Sequence, residues 1–265
     1  MTRFLLAGGG TAGHVNPMLA LADEIRRDNP NHEILTLGTA EGLEARLVPA
    51  RGYRLETVPK LPFPRKFGLY LFKFPVQFRA AVATTKRLIR EHQIEIVIGF
   101  GGYASAPAYQ AARELKIPLV IHEANALPGI ANRMAAKFAA GVAVAFRNTD
   151  LPNASFVGMP LRSEIEDIAR VRAASGDWRA ARKHFGLNPD GVTLLVTGGS
   201  LGAQRINSVI EASRALLSAA GIQVLHIVGN NSDLEPLSTK DYVRVNYCDR
   251  MELAISAATF AVSRA

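Results

Sequence analysis

The sequence predicts an α/β protein built from two Rossmann-like domains with parallel sheets. Short apolar runs alternate with longer amphipathic segments, the order expected when buried parallel strands alternate with helices. This alternation restarts after a charged stretch, and each series opens with a strand followed by a glycine-rich turn. Hydrophobic residues make up 48% of the 265 positions and charged residues 20%, a composition typical of globular proteins.

The first domain is predicted over residues 1–157. Its strands are the apolar runs RFLLAG, EILTL, RLETV, EIVIGF, PLVIHE and GVAVA. Segments with helical periodicity lie between several of them, at 15–28, 75–91, 104–115 and 127–138. A last short strand falls within PNASFVGMPLRSE, where Gly158-Met159-Pro160 interrupts the chain. That break and the charged 170s and 180s indicate a hinge.

The second domain is predicted over residues 158–265. Its strands are expected in VTLLVTGGS, IQVLHIVG, YVRVNYC and TFAVSRA, with helices at about 202–219 and 250–258. Because the sequence stops on the last of these strands, we expect this second sheet to be incomplete.

Charge and cysteine content narrow the function classes. A formal charge of +8 and a pI near 9.9 favour anionic partners, which include nucleic acid, lipid head groups and phosphorylated small molecules. Cys248 is the single cysteine, so an internal disulfide is excluded. The first glycines come too early for a signal peptide, and no apolar run approaches the roughly 18 residues that span a bilayer. We therefore expect a cytoplasmic protein whose membrane contact, if any, is peripheral.

A glycine-rich turn follows the first strand. The G-x-G-x-x-G pattern is formed by Gly8, Gly10 and Gly13. Glycines at such a turn let backbone N–H groups and the helix N terminus approach a phosphate. A dinucleotide oxidoreductase would also need an acidic residue at the end of the second strand, but Thr39 stands near there and Glu41 comes late. A nicotinamide or flavin site is therefore disfavoured, and a tight turn with an incidental His14 stays open.

Two further glycine-rich stretches follow strands. VTGGSLGAQ, at residues 196–204, opens the second domain, and Ser200 there can donate its hydroxyl at a helix start. Two such turns suggest two anionic ligands or two ends of one transfer reaction, although small residues are common at strand-to-helix turns. GFGGYASAP, at residues 99–107, is also explained by a close contact between helix and sheet.

The stretch IHEANALPG, at residues 121–129, places polar side chains beyond the carboxyl end of a strand, where open parallel sheets bind ligands. We expect His122 and Glu123 to orient this loop. No D-x-D pattern or carboxylate cluster lies nearby, so no magnesium site is predicted. A diphosphate leaving group would instead be stabilised by helix N termini and by a cation such as Arg162.

Residues 57–90, the basic aromatic segment, contain no acidic residue. The cations are Lys60, Arg65, Lys66, Lys73, Arg79, Lys86, Arg87 and Arg90, and the aromatic residues are Phe63, Phe67, Tyr70, Phe72, Phe74 and Phe78. Cations beside exposed rings suit an anionic membrane surface, and they also suit single-stranded nucleic acid. The alternative is that the rings pack inward while the cations are solvated.

The motifs GGGTAGH, GFGGYASAP, HEAN, GMPLR and GGSLGA occur in an order that closely resembles the MurG family of glycosyltransferase family 28. The resemblance covers the whole chain. It implies a GT-B fold and an inverting, metal-independent and cofactor-free enzyme of peptidoglycan synthesis. Such an enzyme transfers N-acetylglucosamine from UDP-N-acetylglucosamine to undecaprenyl-pyrophosphoryl-N-acetylmuramyl pentapeptide.

The resemblance also implies where this chemistry takes place. The first domain would hold the undecaprenyl-linked lipid acceptor and the second the nucleotide sugar. The enzyme would lie at the cytoplasmic face of the membrane, touching anionic lipid through the 60–90 region and binding no nucleic acid.

Residue by residue, the resemblance implies a catalytic base at His14. The implied substrate-binding residues are Thr11, Ala12 and Gly13 along the diphosphate and sugar, with Asn125, Arg162 and Ser200 as donor-sugar contacts. The chain departs from the family pattern at Ala12, Ala124 and Leu201.

Family members continue past residue 265 with nucleotide contacts, so we expect these residues alone to lack transfer activity. Two alternatives remain. One is a non-catalytic module that binds lipid diphosphates, and the other is a related transferase with a different nucleotide sugar or lipid acceptor.

Overall fold

The computed structural model describes residues 1–64, 68–168 and 178–264. The chain divides into two compact units, Met1–Arg162 and Ser163–Ala265. This division lies a few residues past the sequence-based boundary at 157.

The first unit contains a seven-stranded, wholly parallel sheet. Its strands are β1 (Arg3–Ala7), β2 (Glu33–Gly38), β3 (Arg54–Thr57), β4 (Ile96–Gly99), β5 (Leu119–Glu123), β6 (Gly141–Val144) and β7 (Ala154–Phe156). Their order is β3-β2-β1-β4-β5-β6-β7. The seven predicted strands and their parallel pairing are confirmed. The order reverses between β1 and β4, and open parallel sheets bind ligands at the carboxyl ends of strands beside such a reversal.

The helices of this unit are α1 (Ala12–Asp28), α2 (Glu44–Ala50), α3 (Leu69–Glu91), α4 (Ser105–Leu115) and α5 (Ile130–Ala135). Helix α2 escaped prediction because it has only 7 residues, one of them proline. Helix α5 is shorter than predicted at both ends, and it starts late because Gly129 is still extended at its N-cap. Helix α3 begins before its predicted start, with Pro75 inside it.

Apolar clusters cover both faces of the sheet. On one face Leu5 and Val97 pack among residues of α3 and α4, and on the other Leu6 packs with Met18 of α1 and with Phe100. Burial on both faces explains why the strands read as continuous apolar runs. It also holds the loops after β1, β4 and β5 on a rigid support.

The second unit contains a five-stranded sheet in the order β10-β11-β9-β8-β12. Its strands are β8 (Val192–Thr197), β9 (Ile222–Ile227), β10 (Leu237–Ser238), β11 (Tyr242–Val245) and β12 (Phe260–Ser263). The expectation of an all-parallel sheet is wrong at one edge, where the two-residue β10 pairs antiparallel with β11.

Its helices are α6 (Arg179–His184), α7 (Gln204–Ala212), α8 (Arg214–Ala219) and α9 (Met251–Ala257). The segment predicted as one helix over 202–219 is divided at Ser213 into α7 and α8. Residues 169–177 of the predicted hinge lie outside the described residues.

Candidate active site

The loops after β1, β4 and β5 line one cavity of about 890 Å³ in the first unit. Its polar lining includes His14 from the first loop, Tyr103 from the second, and Glu123, Asn125 and Asn132 from the third and the helix that follows it. The structure therefore brings together two residues that the sequence singled out separately, His14 and Asn125.

The first glycine loop, residues 8–14, determines which nitrogen of His14 carries the proton. The carbonyl oxygen of Gly9 lies 3.1 Å from Nδ1 of His14, and Oγ1 of Thr11 lies 3.3 Å from the same nitrogen. Because a carbonyl oxygen can only accept, the neutral ring carries its proton on Nδ1 and its lone pair on Nε2. A Cβ at Gly101, which lines the cavity, would lie 3.3 Å from Nε2. His14 is thus set up as a proton acceptor beside the cavity.

Glu44, at the start of α2, supports this loop from behind, and sequence reasoning missed it. Its side chain is fully buried. Oε2 accepts the Gly10 N–H at 2.8 Å, while Oε1 accepts the Thr39 N–H at 2.8 Å and the Thr39 hydroxyl at 2.7 Å. With three protein donors and a fully buried side chain, this carboxylate is held by the protein itself and is not presented to a ligand.

The glycines around Glu44 make room for its carboxylate. A Cβ at Gly9 would lie 2.3 Å from Oε1, and a Cβ at Gly42 would lie 2.1 Å from Oε2. Gly9 is therefore required by the protein itself. Gly10 and Gly13 remain open on their Cβ sides, since nothing lies within 4 Å of the first and only Oγ1 of Thr11, at 3.7 Å, approaches the second.

Gly99 at the end of β4 and Gly102 in the loop after it are explained by close packing, and the contact of Gly99 is the one between helix and sheet that the sequence left open. A Cβ at Gly99 would lie 1.9 Å from the Tyr109 ring, and one at Gly102 would lie 2.3 Å from the Gly9 carbonyl oxygen. The second loop is thereby packed against the first.

Glu123 organises the third loop. Its Oε1 accepts the N–H and the Nδ2–H of Asn125, and its Oε2 accepts from the Gly129 N–H and from Nδ2 of Asn132, all at 2.8 to 2.9 Å. One N–H of the Asn125 amide is engaged in this way, which leaves its second N–H and its Oδ1 acceptor to meet a ligand. The expectation that Glu123 orients the loop is confirmed.

His122 also has a supporting role. Its Nε2 donates to the carbonyl of Gly158 at 3.0 Å, which ties the GMPLR stretch to the end of β5. Burial lowers the pKa of the His122 imidazole below its usual value. Nδ1 of His122 is buried without a hydrogen-bond partner, which again favours the neutral ring.

A tyrosine connects the second loop to the third. The hydroxyl of Tyr109 donates to Oδ1 of Asn132 at 2.7 Å and accepts the Gly101 N–H at 3.3 Å. Burial raises the pKa of this hydroxyl, so it stays protonated. The cavity wall is therefore held by a continuous set of hydrogen bonds.

The remaining predicted site residues lie outside this lining. Thr11, Ala12 and Gly13 form the N terminus of α1, with Thr11 and Gly13 exposed. Arg162 is the last residue of the first unit. Within residues 1–64, 68–168 and 178–264, no group of three His, Cys, Asp or Glu side chains is arranged to hold a metal ion.

The second glycine loop, residues 198–203, belongs to the second unit. A Cβ at Gly202 would lie 2.1 Å from the carbonyl oxygen of Val228, and the carbonyl of Ser200 accepts the Asn230 N–H at 3.0 Å. Ser200 precedes the N-cap residue Ala203, so it lies in the loop and not at the helix start as expected.

The rings of the basic aromatic segment divide between two environments. Phe74 and Phe78 pack against the core, with ring centroids 5.7 Å apart, whereas Phe72 is 78% exposed. Phe67, Arg65 and Lys66 lie outside the described residues. The inward-packing alternative is therefore correct for Phe74 and Phe78 and wrong for Phe72.

Among the helices that the structure describes, none combines the length and apolarity needed to cross a bilayer.

Comparison with known families and proteins agrees with this architecture. The Glycosyltransferase family 28 N-terminal domain matches residues 4–144, and the Glycosyltransferase family 28 C-terminal domain matches residues 193–265. A Leifsonia xyli subsp. xyli protein is 57% identical over 265 residues, which are 100% of this chain and 73% of that protein. A Clavibacter michiganensis protein is 53% identical over 266 residues, covering 100% of this chain and 71% of its own length. Both are named UDP-N-acetylglucosamine--N-acetylmuramyl-(pentapeptide) pyrophosphoryl-undecaprenol N-acetylglucosamine transferase.

Solved structures share the fold at low sequence identity. Acinetobacter baumannii MurG matches with a TM-score of 0.66 at 24% identity, over 99% of this chain and 73% of that one. UDP-GlcNAc 2-epimerase from Neisseria meningitidis, bound to UDP-GlcNAc, matches with a TM-score of 0.63 at 12% identity, over 99% and 77%. The two α/β units are thus those of a GT-B fold.

Proposed function

The chain belongs to glycosyltransferase family 28, and on this premise we propose that it transfers N-acetylglucosamine from UDP-N-acetylglucosamine to undecaprenyl-pyrophosphoryl-N-acetylmuramyl pentapeptide. This reaction converts lipid I to lipid II in peptidoglycan synthesis. Sequence identity of 57% across the whole chain to a protein named for this reaction carries the proposal. The first unit binds the lipid acceptor, and the second binds the nucleotide sugar.

The chemistry is a direct, inverting displacement without a metal. Nε2 of His14 removes the proton from the C4 hydroxyl of the muramyl sugar as that oxygen attacks the anomeric carbon of N-acetylglucosamine. The bond from that carbon to UDP breaks, and its electron pair leaves with the diphosphate. The proton bound to Nδ1, held by the Gly9 carbonyl, supports this role because it leaves the Nε2 lone pair available.

Negative charge on diphosphate is countered by the protein. Helix α1 has 17 residues and no acidic residue in its first turn, so its N terminus favours an anion near Thr11, Ala12 and Gly13. Arg162, Asn125 and Ser200 contact the donor. Positioning and this electrostatic stabilisation supply most of the rate, and the base adds a smaller factor.

A transfer assay with labelled UDP-N-acetylglucosamine and the lipid acceptor tests the base. We expect His14→Ala in the full gene product to lower kcat by about 10² to 10⁴ while the Kd for UDP, measured by calorimetry, stays near that of the parent. Glu41→Gln is the matched control, since Glu41 is an exposed residue of the loop after β2. Equal turnover in His14→Ala and the parent would remove His14 from the mechanism.

The protein also makes peripheral contact with anionic membrane, and Phe72 supports this part of the proposal. Phe72, Val76 and Arg79 follow an i, i+4, i+7 spacing on α3, which puts them on one helix face. The two apolar residues are 78% and 68% exposed, and Arg79 is exposed as well. An apolar ring beside cations suits the head-group region of a bilayer. We propose that this contact is made at the cytoplasmic face of the membrane.

Cosedimentation with vesicles tests the membrane contact. We expect binding to anionic vesicles that weakens with salt, because exposed charges are screened over about 8 Å at physiological ionic strength. Phe72→Ser should reduce binding at low salt, whereas Lys116→Ser, an exposed cation at the end of α4, should change it little. Equal binding to neutral and anionic vesicles, or equal binding by Phe72→Ser and the parent, would contradict the proposal.

A further inference from the structure

We propose that Glu44 is a positioning residue for His14 and that it acts through the single peptide unit between Gly9 and Gly10. This inference rests on the proposed role of His14 as the base. It assigns a function to a buried carboxylate that touches no substrate.

The geometry joins the two side chains through one planar group. The C=O of the Gly9–Gly10 peptide accepts the Nδ1–H of His14 at 3.1 Å, and the N–H of the same peptide donates to Oε2 of Glu44 at 2.8 Å. The hydrogen-bond path therefore runs from imidazole to carbonyl, along the amide, and from its N–H to the carboxylate.

Such a path couples the charge of Glu44 to the ring of His14. A carboxylate that accepts an amide N–H pulls the amide dipole toward itself and increases the negative charge on the carbonyl oxygen, so bonds in a chain strengthen one another. A stronger acceptor at Nδ1 keeps the proton on that nitrogen and stabilises the imidazolium once Nε2 has taken the substrate proton. Serine hydrolases obtain the same effect from a carboxylate bonded directly to the histidine. Here a peptide unit lies between the two.

The surroundings of Glu44 keep this path in place. Both of its carboxylate oxygens are engaged by donors, Gly10 on one and Thr39 on the other, which suits an acceptor-only group. The absence of side chains at Gly9, Gly38 and Gly42 is what admits the carboxylate, since a Cβ at any of them would lie within 2.4 Å of it or of its Cγ. The carboxylate therefore cannot shift without moving the loop that carries His14.

The test compares Glu44→Gln with the parent in the full gene product. Glutamine keeps the size but brings an NH₂ group against one of the three donors. We expect kcat to fall about ten- to a hundredfold with little change in KM, by analogy with the loss seen when the partner that orients a metal-ligating histidine is removed. In ¹⁵N NMR spectra we expect the parent His14 to be the Nδ1–H tautomer and the variant to gain the Nε2–H tautomer. Glu41→Gln should match the parent in both measurements.

A double-mutant cycle separates positioning from a structural role. If Glu44 acts through His14, Glu44→Gln introduced into His14→Ala should change kcat by less than about twofold. An equal loss of kcat in both backgrounds, or an unchanged tautomer in Glu44→Gln, would overturn the inference. Should Glu44→Gln fail to fold by circular dichroism, an Nε2–H tautomer in the parent would overturn it.

These outcomes differ from failure of the proposed function. That function fails if the parent transfers no N-acetylglucosamine or if His14→Ala keeps the parental rate. The tautomer measurement requires neither the nucleotide sugar nor the lipid acceptor. It therefore still decides whether Glu44 determines which nitrogen of His14 carries the proton.

Discussion

The two glycine loops look alike in sequence but are supported by different chemistry. Each follows a central strand of its sheet, β1 or β8, and each runs into a helix, α1 or α7. The first loop is supported by the fully buried carboxylate of Glu44. The second is supported first by an amide and a buried imidazole, and a carboxylate lies further away, beyond a tyrosine hydroxyl.

That second support begins at Val228. Its carbonyl, which Gly202 approaches closely, accepts Nδ2–H of Asn207 at 2.9 Å. Nε2 of the fully buried His226 donates to Oδ1 of Asn207 at 3.1 Å, and Nδ1 of His226 lies 2.6 Å from the Tyr242 hydroxyl. Burial lowers the pKa of His226, so a neutral imidazole holds the loop that carries Ser200, and the Glu211 carboxylate lies one step further away, beyond the Tyr242 hydroxyl. The loop that carries His14 is instead held directly by a carboxylate.

The difference shows that a glycine pattern identifies a tight turn without saying what the turn accommodates. In the first loop, the glycine at position 9 admits the protein's own acid, and in the second, Gly202 admits the protein's own backbone. What each loop can do chemically depends on the side chain that supports it, which is Glu44 for the first loop and His226 for the second. A carboxylate can tune a base, and a buried neutral imidazole makes its loop sensitive to acid.

The largest expected effect comes from filling the space around Glu44. Gly9→Ala puts a methyl group 2.3 Å from Oε1, which forces the carboxylate off its donors. Overpacking and the loss of charged hydrogen bonds together should destabilise the first unit by about 3 kcal/mol or more. Hydrogen exchange of first-unit peptides during urea unfolding measures this loss.

Gly13→Ala is the matched control within the same loop. Its new methyl group would meet only Oγ1 of Thr11 at 3.7 Å, and alanine in a helix is favoured over glycine by about 1 kcal/mol. Stability equal to or above the parent is therefore expected. A loss in Gly13→Ala as large as that in Gly9→Ala would mean that the whole loop is intolerant and that Glu44 is not the cause.

Sequence periodicity predicted the strands of both sheets and most helices because each element buries a continuous run or one helix face. It could not predict Glu44, because the Gly10 N–H that it accepts comes from 34 positions away. The only local signal was an acidic residue within GLEARLV, close in sequence to Gly38 and Gly42.

Which rings of α3 face inward can be predicted from their spacing. Tyr70, Phe74 and Phe78 follow an i, i+4 spacing, which is the signature of one inward face, and Phe72 falls outside it. The close contacts of the glycines, in contrast, could not be predicted. The contacts of Gly99 with Tyr109 and of Gly102 with Gly9 depend on how loops fold back, which no local pattern encodes.

Acid should weaken the second loop's support by a smaller amount. Burial lowers the pKa of His226 to about 4, against about 6.5 in the unfolded chain. Between these values the unfolded state binds more protons, so the stability of the second unit is highest above pH 6.5 and falls as the pH drops toward 4. We expect a loss of about 1.6 kcal/mol between pH 6.5 and 5.

Trp178, the single tryptophan, lies in the second unit, so its fluorescence during urea unfolding follows that unit. His226→Gln removes the titrating group and should flatten the dependence over this range. The other charged groups of the network are Glu211, Arg214 and Arg244. Hydrogen bonds and ion pairs lower the pKa of Glu211, so the stability that Glu211 contributes is lost only at a lower pH than the range tested here. An unchanged slope in His226→Gln would assign the acid sensitivity elsewhere.

The smallest expected effect distinguishes the two supports directly, through one threonine beside each loop. Thr39 donates its hydroxyl to the buried carboxylate of Glu44 at 2.7 Å, whereas Oγ1 of Thr197 accepts the N–H of Gly199 at 3.3 Å near the surface. A hydrogen bond to a charged, buried partner contributes more than a long one between neutral groups, so Thr39→Val should cost about 1.5 kcal/mol and Thr197→Val about 0.5 kcal/mol. Hydrogen exchange, resolved by unit during urea unfolding, measures both variants under one condition. Equal costs would mean that Glu44 stabilises its loop no more than a neutral side chain does, which would contradict the distinction between the two supports.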